Sequence, residues 1–171
     1  QDEPYYNICS NLVSEGKLPY LDFFYQHMPL MVYFYSMNFA EGLASLIVGK
    51  IISVILLFLT GIVISEFLKI VNIKKSYILL FLILYFFNSF LLDWLTIIRV
   101  YSISTILFVL ALLSFYKVCV DDFRASSLFV TGFLFSLTSL SKIVFAGNLI
   151  LLVLFLILFY RKIFTFKSVI Y

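Results

Sequence analysis

The sequence predicts an all-α protein, a polytopic transmembrane helical bundle with an extracytoplasmic loop that carries a short amphipathic interfacial helix. Three observations lead there. Hydrophobic residues fill 64% of the 171 positions and charged residues only 12%, against roughly 45–50% and 25% in soluble domains. The apolar residues gather in runs that approach the roughly 20 residues a helix needs to cross a bilayer. Within those runs Leu, Ile and Val follow one another without period-two alternation, which disfavours an outer-membrane barrel. Helices are then the remaining way to satisfy every backbone group in lipid.

Residues 1–42 read as the extracytoplasmic loop. Tyr5, Ile8, Cys9 and Leu12 recur at helical spacing, and Tyr6 and Val13 widen the stripe. Asp2 or Glu3 precedes the helix, Pro4 suits a first helical position, and Gly16 with Pro19 beyond it supplies a stop. Such a helix is expected to lie at the membrane surface with its Tyr-rich face toward lipid or other helices. The segment Leu21 to Met37 re-enters apolar territory through "DFFYQHMPL" and is expected to dip toward the bilayer.

Residues 43–171 are expected to form about five spans, judged by the length a bilayer requires. They run from about Leu43 to Leu68, Ser76 to Leu92, Ile103 to Tyr116, Ser127 to Leu140 and Ile143 to Tyr160. The first is long enough to span with tilt, whereas the third to fifth are short. The last two, joined at Ser141-Lys142, suit a short hairpin or a partly re-entrant pair.

If the spans alternate, Lys69, Lys74, Lys75, Lys117, Arg124, Arg161, Lys162 and Lys167 share one side. Lys17, Arg99 and Lys142 share the other, and Lys50 falls inside the first span. The positive-inside rule makes the richer side cytoplasmic, so the opening loop is extracytoplasmic and the C-terminus cytoplasmic. Cys9 and Cys119 then lie on opposite sides, which excludes a disulfide between them. The scattered basic residues and net charge of +3 suit membrane anchoring and exclude a nucleic-acid patch. The chain starts without a Met or a secretory pattern, and an internal piece of a longer polypeptide is expected. A bias toward Phe, Ile, Lys and Tyr suits the plasma membrane of a prokaryote of low genomic GC content.

On the extracytoplasmic side the polar inventory is short: Asp2, Glu3, Glu15, Lys17, Asp22, His27, Glu41, Asp93, Arg99 and Lys142, with several Tyr. Carboxylates beside fixed cations and an apolar surface suit a reaction whose donor is a lipid-linked phosphate. One carboxylate takes a proton from an acceptor hydroxyl while Arg or Lys stabilises the departing phosphate.

The stretch "DEPYYNICSNLVSEGKLPYLDFFYQHMPLMVYFYS" resembles the first extracytoplasmic loop of the GT-C superfamily of polyprenyl-phosphate-sugar glycosyltransferases. It is nearest the dolichyl-phosphate-mannose protein mannosyltransferase and aminoarabinose transferase branches. "IIRVYSISTILFVLALLSFYKV" is similar to that family's Arg-led helix, and "GFLFSLTSLSKIVFAGNLILL" to its Gly-containing helix ending in Thr or Ser and Lys. The resemblance implies transfer of a sugar from a polyprenyl-phosphate carrier to a lipid, protein or polysaccharide acceptor, with inversion at the anomeric carbon. It puts the acidic pair at Asp2 and Glu3, Asp2 being the base. Tyr6, Asp22, His27, Arg99, Tyr101 and Lys142 are the substrate-binding candidates, and the spans around Lys142 are expected near the donor phosphate. The family's Pro-Pro is Met28-Pro29 here, which leaves His27 without a family role.

Plainer readings stand beside these. Asp2 and Glu3 also suit helix capping, and His27 a hydrogen-bonded interface. Lys50 suits snorkelling or a pair with Glu41. Arg99 and Lys142 suit lipid-headgroup phosphates. Two adjacent carboxylates are also a ligand type for Mg²⁺ or Mn²⁺. A transporter or channel component, or a non-catalytic subunit of the same fold, is the alternative class, but no internal repeat supports transport.

Overall fold

A computed structural model of the chain describes residues 3–38, 42–120 and 125–159. These residues form helices α1 (Glu3–Ser14), α2 (Leu30–Ser36), α3 (Gly42–Ile70), α4 (Lys75–Phe86), α5 (Ser89–Leu95), α6 (Val100–Val120), α7 (Ala125–Ser141) and α8 (Ala146–Phe159), with a 3-10 turn at Ile143–Phe145. The described residues hold no β-strand beyond one isolated bridge between Pro19 and Phe23. Among the described residues two helices are long and apolar enough to cross a membrane: α3 with 29 residues and α6 with 21. The pair α4 and α5, bent by 63°, adds a third if it is one broken span.

The expected spans are redrawn: the last two fall on α7 and α8, apolar helices of 17 and 14 residues that are shorter than a full span. The run read as Ser76 to Leu92 breaks at Phe87-Asn88, because the Asn88 side chain accepts a hydrogen bond from the Leu91 amide at 3.1 Å and starts a new helix there. The run read as Ile103 to Tyr116 extends at both ends into the 21-residue α6, with polar Ser102 in its first turn donating to the Leu95 carbonyl at the end of α5 at 3.0 Å.

The buried face of α3 is rich in small and hydroxylated residues. It carries Ser45, Gly49, Ser53, Thr60, Gly61 and Ser65 beside Leu56 and Leu57, while Ile47, Ile51, Ile55, Phe58 and Ile62 point outward. Small and hydroxylated residues at helix interfaces are how helices associate when lipid, as apolar as Leu, gives no hydrophobic drive. Several of these hydroxyls are satisfied inside the helix, Ser53 reaching the Gly49 carbonyl, Thr60 the Leu56 carbonyl and Ser65 the Ile62 carbonyl.

Hydroxyl pairs also join the antiparallel helices α6 and α7. Ser104 meets Ser141 at 2.7 Å near one end, and Ser114 meets Thr131 at 2.7 Å near the other. Since Ile97, just before α6, is bonded to Ser53 early in α3, and Tyr116 stacks edge-on with Phe67 late in α3, those two helices run parallel. This connectivity gathers α1, the 17–29 segment, the starts of α3 and α6, α5 and the end of α7 at one end of the bundle.

α1 stops where expected. Gly16 takes the left-handed conformation at φ +86, and the Lys17 amide reaches back to the Leu12 carbonyl at 3.0 Å. Its buried face departs from the expected stripe: Tyr6, Asn7, Cys9 and Ser10 are buried, whereas Ile8 is exposed. The cause is the surface it meets. Ser45 of α3 donates to Asn7 Oδ1 at 2.9 Å and lies 3.0 Å from Asn11 Oδ1, while the Asn38 amide donates to the Ser45 carbonyl at 2.8 Å. The helix docks by polar pairing as well as by its tyrosines.

Candidate functional site

The first described residue of α1, Glu3, is held from two sides. Its Oε2 lies 3.2 Å from Lys50 Nζ on α3, and its Oε1 accepts from the Ile98 amide at 3.1 Å. The Glu3 side chain is only 16% exposed. A lysine inside an apolar span is costly unless paired, and Glu3 is its partner; Glu41, the partner expected from sequence, lies outside the described residues. Asp2 also lies outside them.

One turn along α1, Tyr6 shares a hydrogen bond with His27, 2.6 Å between Oη and Nε2. The Tyr20 hydroxyl donates to the His27 carbonyl, and the Tyr5 hydroxyl donates to the Phe24 carbonyl at 3.2 Å. Tyr20 itself sits in the left-handed region at φ 70, a conformation unusual for a bulky side chain. Behind these groups Tyr25 is buried, stacked on Tyr5 and edge-on to His27. Burial pushes its phenol well above the ordinary value, so it stays neutral. Burial likewise raises the Cys9 thiol.

Asp22, a substrate-binding candidate, serves the turn instead: its Oδ2 accepts from the Leu18 amide at 2.7 Å while its own amide donates to the Leu18 carbonyl. Tyr20, Gln26, His27 and Met28 face Lys142, Ile143 and Val144 across a cleft of about 540 Å³. His27 and Lys142 therefore share one cavity, though they stand far apart in sequence.

Lys142 Nζ lies 3.9 Å from the centre of the Tyr101 ring, and Tyr101 packs edge-on against Trp94. The Arg99 guanidinium lies 4.9 Å from the Trp94 ring centre. Both cations rest on aromatic faces, which attract them through the ring quadrupole. Beyond this pair opens an apolar groove of about 360 Å³, lined by Tyr85, Phe90, Leu91, Trp94, Leu95 and Tyr101.

Arg99 follows Ile98, whose amide is held by Glu3, so the described candidates apart from Asp22 close into a ring. It runs from Glu3 along α1 to Tyr6 and His27, across the cleft to Lys142, then through Tyr101 and Trp94 to Arg99 and back by Ile98. Chemically, the ring offers two fixed cations to an anion and an apolar groove beside them. Both oxygens of Glu3 have donors, one of them cationic, and Asp2, the other carboxylate of the pair read as a ligand type for Mg²⁺ or Mn²⁺, lies outside the described residues. Among the described residues no three His, Cys, Asp or Glu side chains gather as a metal site.

Sequence reasoning passed over Trp94 and Tyr20, which are unremarkable among so many aromatic residues. For Lys50 the depth of the charge in its span was the available signal. Comparison of the chain with protein-family models, curated proteins and solved structures finds no match.

Proposed function

We propose that this chain belongs to a multi-pass membrane glycosyltransferase, which moves a sugar from a polyprenyl-phosphate carrier to an acceptor on the extracytoplasmic side, with inversion. The observation that carries the reading is the pairing of Arg99 and Lys142 with an aromatic groove at the α1 end of the bundle. A lipid-linked phosphate has the same two parts, an anionic head and an apolar tail. Arg99 and Lys142 serve the phosphate, the Tyr85–Trp94–Tyr101 groove takes isoprenoid carbons, and the His27 cleft faces the sugar and acceptor.

In the reaction an acceptor oxygen attacks the anomeric carbon as the bond from that carbon to the carrier phosphate breaks. The electron pair leaves with the phosphate, whose charge the two cations offset, and the acceptor proton passes to a carboxylate. Glu3 is committed to Lys50 and Ile98, so Asp2 takes the proton and Glu3 supports it. The orientation read from the basic residues puts the α1 end outside a prokaryotic plasma membrane and the end carrying Lys69, Lys74, Lys75 and Lys117 inside.

The test is donor kinetics on the complete polypeptide in membranes. Lys142→Ala and Arg99→Ala are each expected to raise KM for a polyprenyl-phosphate sugar at least about tenfold, as loss of a charge-assisted contact to phosphate implies. A double variant with wild-type KM overturns the reading.

A further inference from the structure

We propose that Lys50 is the positioning residue of this site: from inside α3 it holds the acidic start of α1 over the turn at residues 96–99. This inference rests on the reading of Asp2 as the base.

The turn is built to receive Glu3. Gly49, the residue before Lys50, leaves room for Ile98: a Cβ there would stand 2.8 Å from Ile98 Cγ1 and nearer still to its Cδ1. Ile98 therefore lies flat on α3, only 1% exposed, with its amide directed at Glu3. Ser53, one turn further along α3, donates to the Ile97 carbonyl at 3.1 Å, and Ser102 donates to the Leu95 carbonyl at 3.0 Å. The break between α5 and α6 thus has its backbone groups satisfied by side chains from two helices, and Glu3 supplies the one acceptor from α1.

Lys50 gives that acceptor its place. Other contacts of α1 attach the far side of its first turn, Tyr5 to Phe24 and Tyr6 to His27, and the turn beyond, Asn7 and Asn11 to Ser45. The Lys50–Glu3 pair at 3.2 Å, with the Ile98 amide, is what holds the first described residue of the helix toward α3 and the turn at residues 96–99. An acid near the N-terminal end of α6 also suits the helix dipole. Ser53 and Ser102 hold the turn independently, so Arg99 keeps its place when Lys50 is lost while Glu3 does not.

The test has two readouts on the complete polypeptide in detergent micelles. Amide exchange at Ile98, followed by NMR in protein labelled with ¹⁵N-isoleucine, reads the clamp without reference to activity. Lys50→Met is expected to speed exchange at least tenfold, Lys50→Arg to restore the wild-type rate, and Glu3→Gln, which keeps the acceptor but loses the charge, to fall between them. In the transfer assay Lys50→Met is expected to lower kcat at least thirtyfold while KM for the donor changes less than threefold, with recovery in Lys50→Arg. Unchanged exchange at Ile98 in Lys50→Met overturns the clamp, and faster exchange with wild-type kcat overturns the positioning role. If Lys50→Met does not fold, Glu3→Gln alone decides: wild-type exchange and kcat in that variant overturn the proposal. If the wild-type protein transfers no sugar at all, the functional reading fails, and the exchange data still report on the clamp.

Discussion

Gly49 and Lys50 are adjacent residues with opposite tasks, one removing a side chain so that Ile98 can descend and the other adding a charge so that Glu3 can be held. Gly49→Ala is expected to destabilise by about 1–3 kcal/mol, the usual cost of overpacking. Gly132→Ala, at a site with nothing within 4 Å, is expected to be neutral or slightly stabilising, since it lies within helix α7. Thermal unfolding in micelles compares the two. At Cys9, burial both shields the thiol and raises its pKa. The thiolate is the reactive form, so alkylation is expected to be slow at neutral pH and to accelerate with rising pH through and beyond the ordinary thiol range. A rate at pH 7 equal to that of a small free thiol contradicts the buried placement. Neither contact partner of Gly49 or Lys50 was legible in the sequence, because Ile98 and Glu3 are each more than forty residues from them and no local pattern encodes the pairing.

At the scale of elements, the ends of helices were legible where chemistry is local. Gly16 and Pro4 mark α1 because a left-handed C-terminal residue and a proline in the first turn are properties of single positions. The face of α1 was legible in part: Tyr6 and Cys9 of the expected stripe are buried, but Asn7 and Ser10 were missed, since an apolar stripe presumes an apolar partner and Ser45 made the partner polar. Asn7→Ala is expected to weaken the docking of α1 on α3. A double-mutant cycle with Ser45→Ala is expected to give a coupling of about 0.6 kcal/mol, the average found for such pairs between membrane helices. The break between α4 and α5 was missed for a related reason, Asn88 being a single polar residue in a long apolar run. Asn88→Ala is expected to cost about 1 kcal/mol through loss of the cap, again by thermal unfolding.

At the scale of the whole molecule, composition was enough for the helical class, because 64% hydrophobic content cannot be reconciled with a polar exterior. The buried serines and threonines that stand beside the apolar core, with many isoleucines outside, add what composition does not contain. Orientation is a prediction that the buried Cys9 tests poorly. A cysteine at exposed Ser14, with Cys119 as the opposite-side reference, is expected to react with a membrane-impermeant maleimide on intact cells while Cys119 is spared. The reverse pattern puts the cleft and both cations in the wrong compartment. Of the site, the sequence offered the residue types, while the shared cleft of His27 and Lys142 came from the fold. The closed ring from Glu3 to Arg99 was not, since it depends on the parallel placing of α3 and α6 and on Trp94 as a bridge.

The most direct test of the central claim is sugar transfer from a panel of labelled polyprenyl-phosphate sugars, in membranes containing the complete polypeptide, wild type beside Asp2→Asn. The account predicts that the wild type turns over at least one donor and that Asp2→Asn is slower by about two to four orders of magnitude, the span of general-base catalysis. Turnover of no donor, or equal rates in the two proteins, contradicts it.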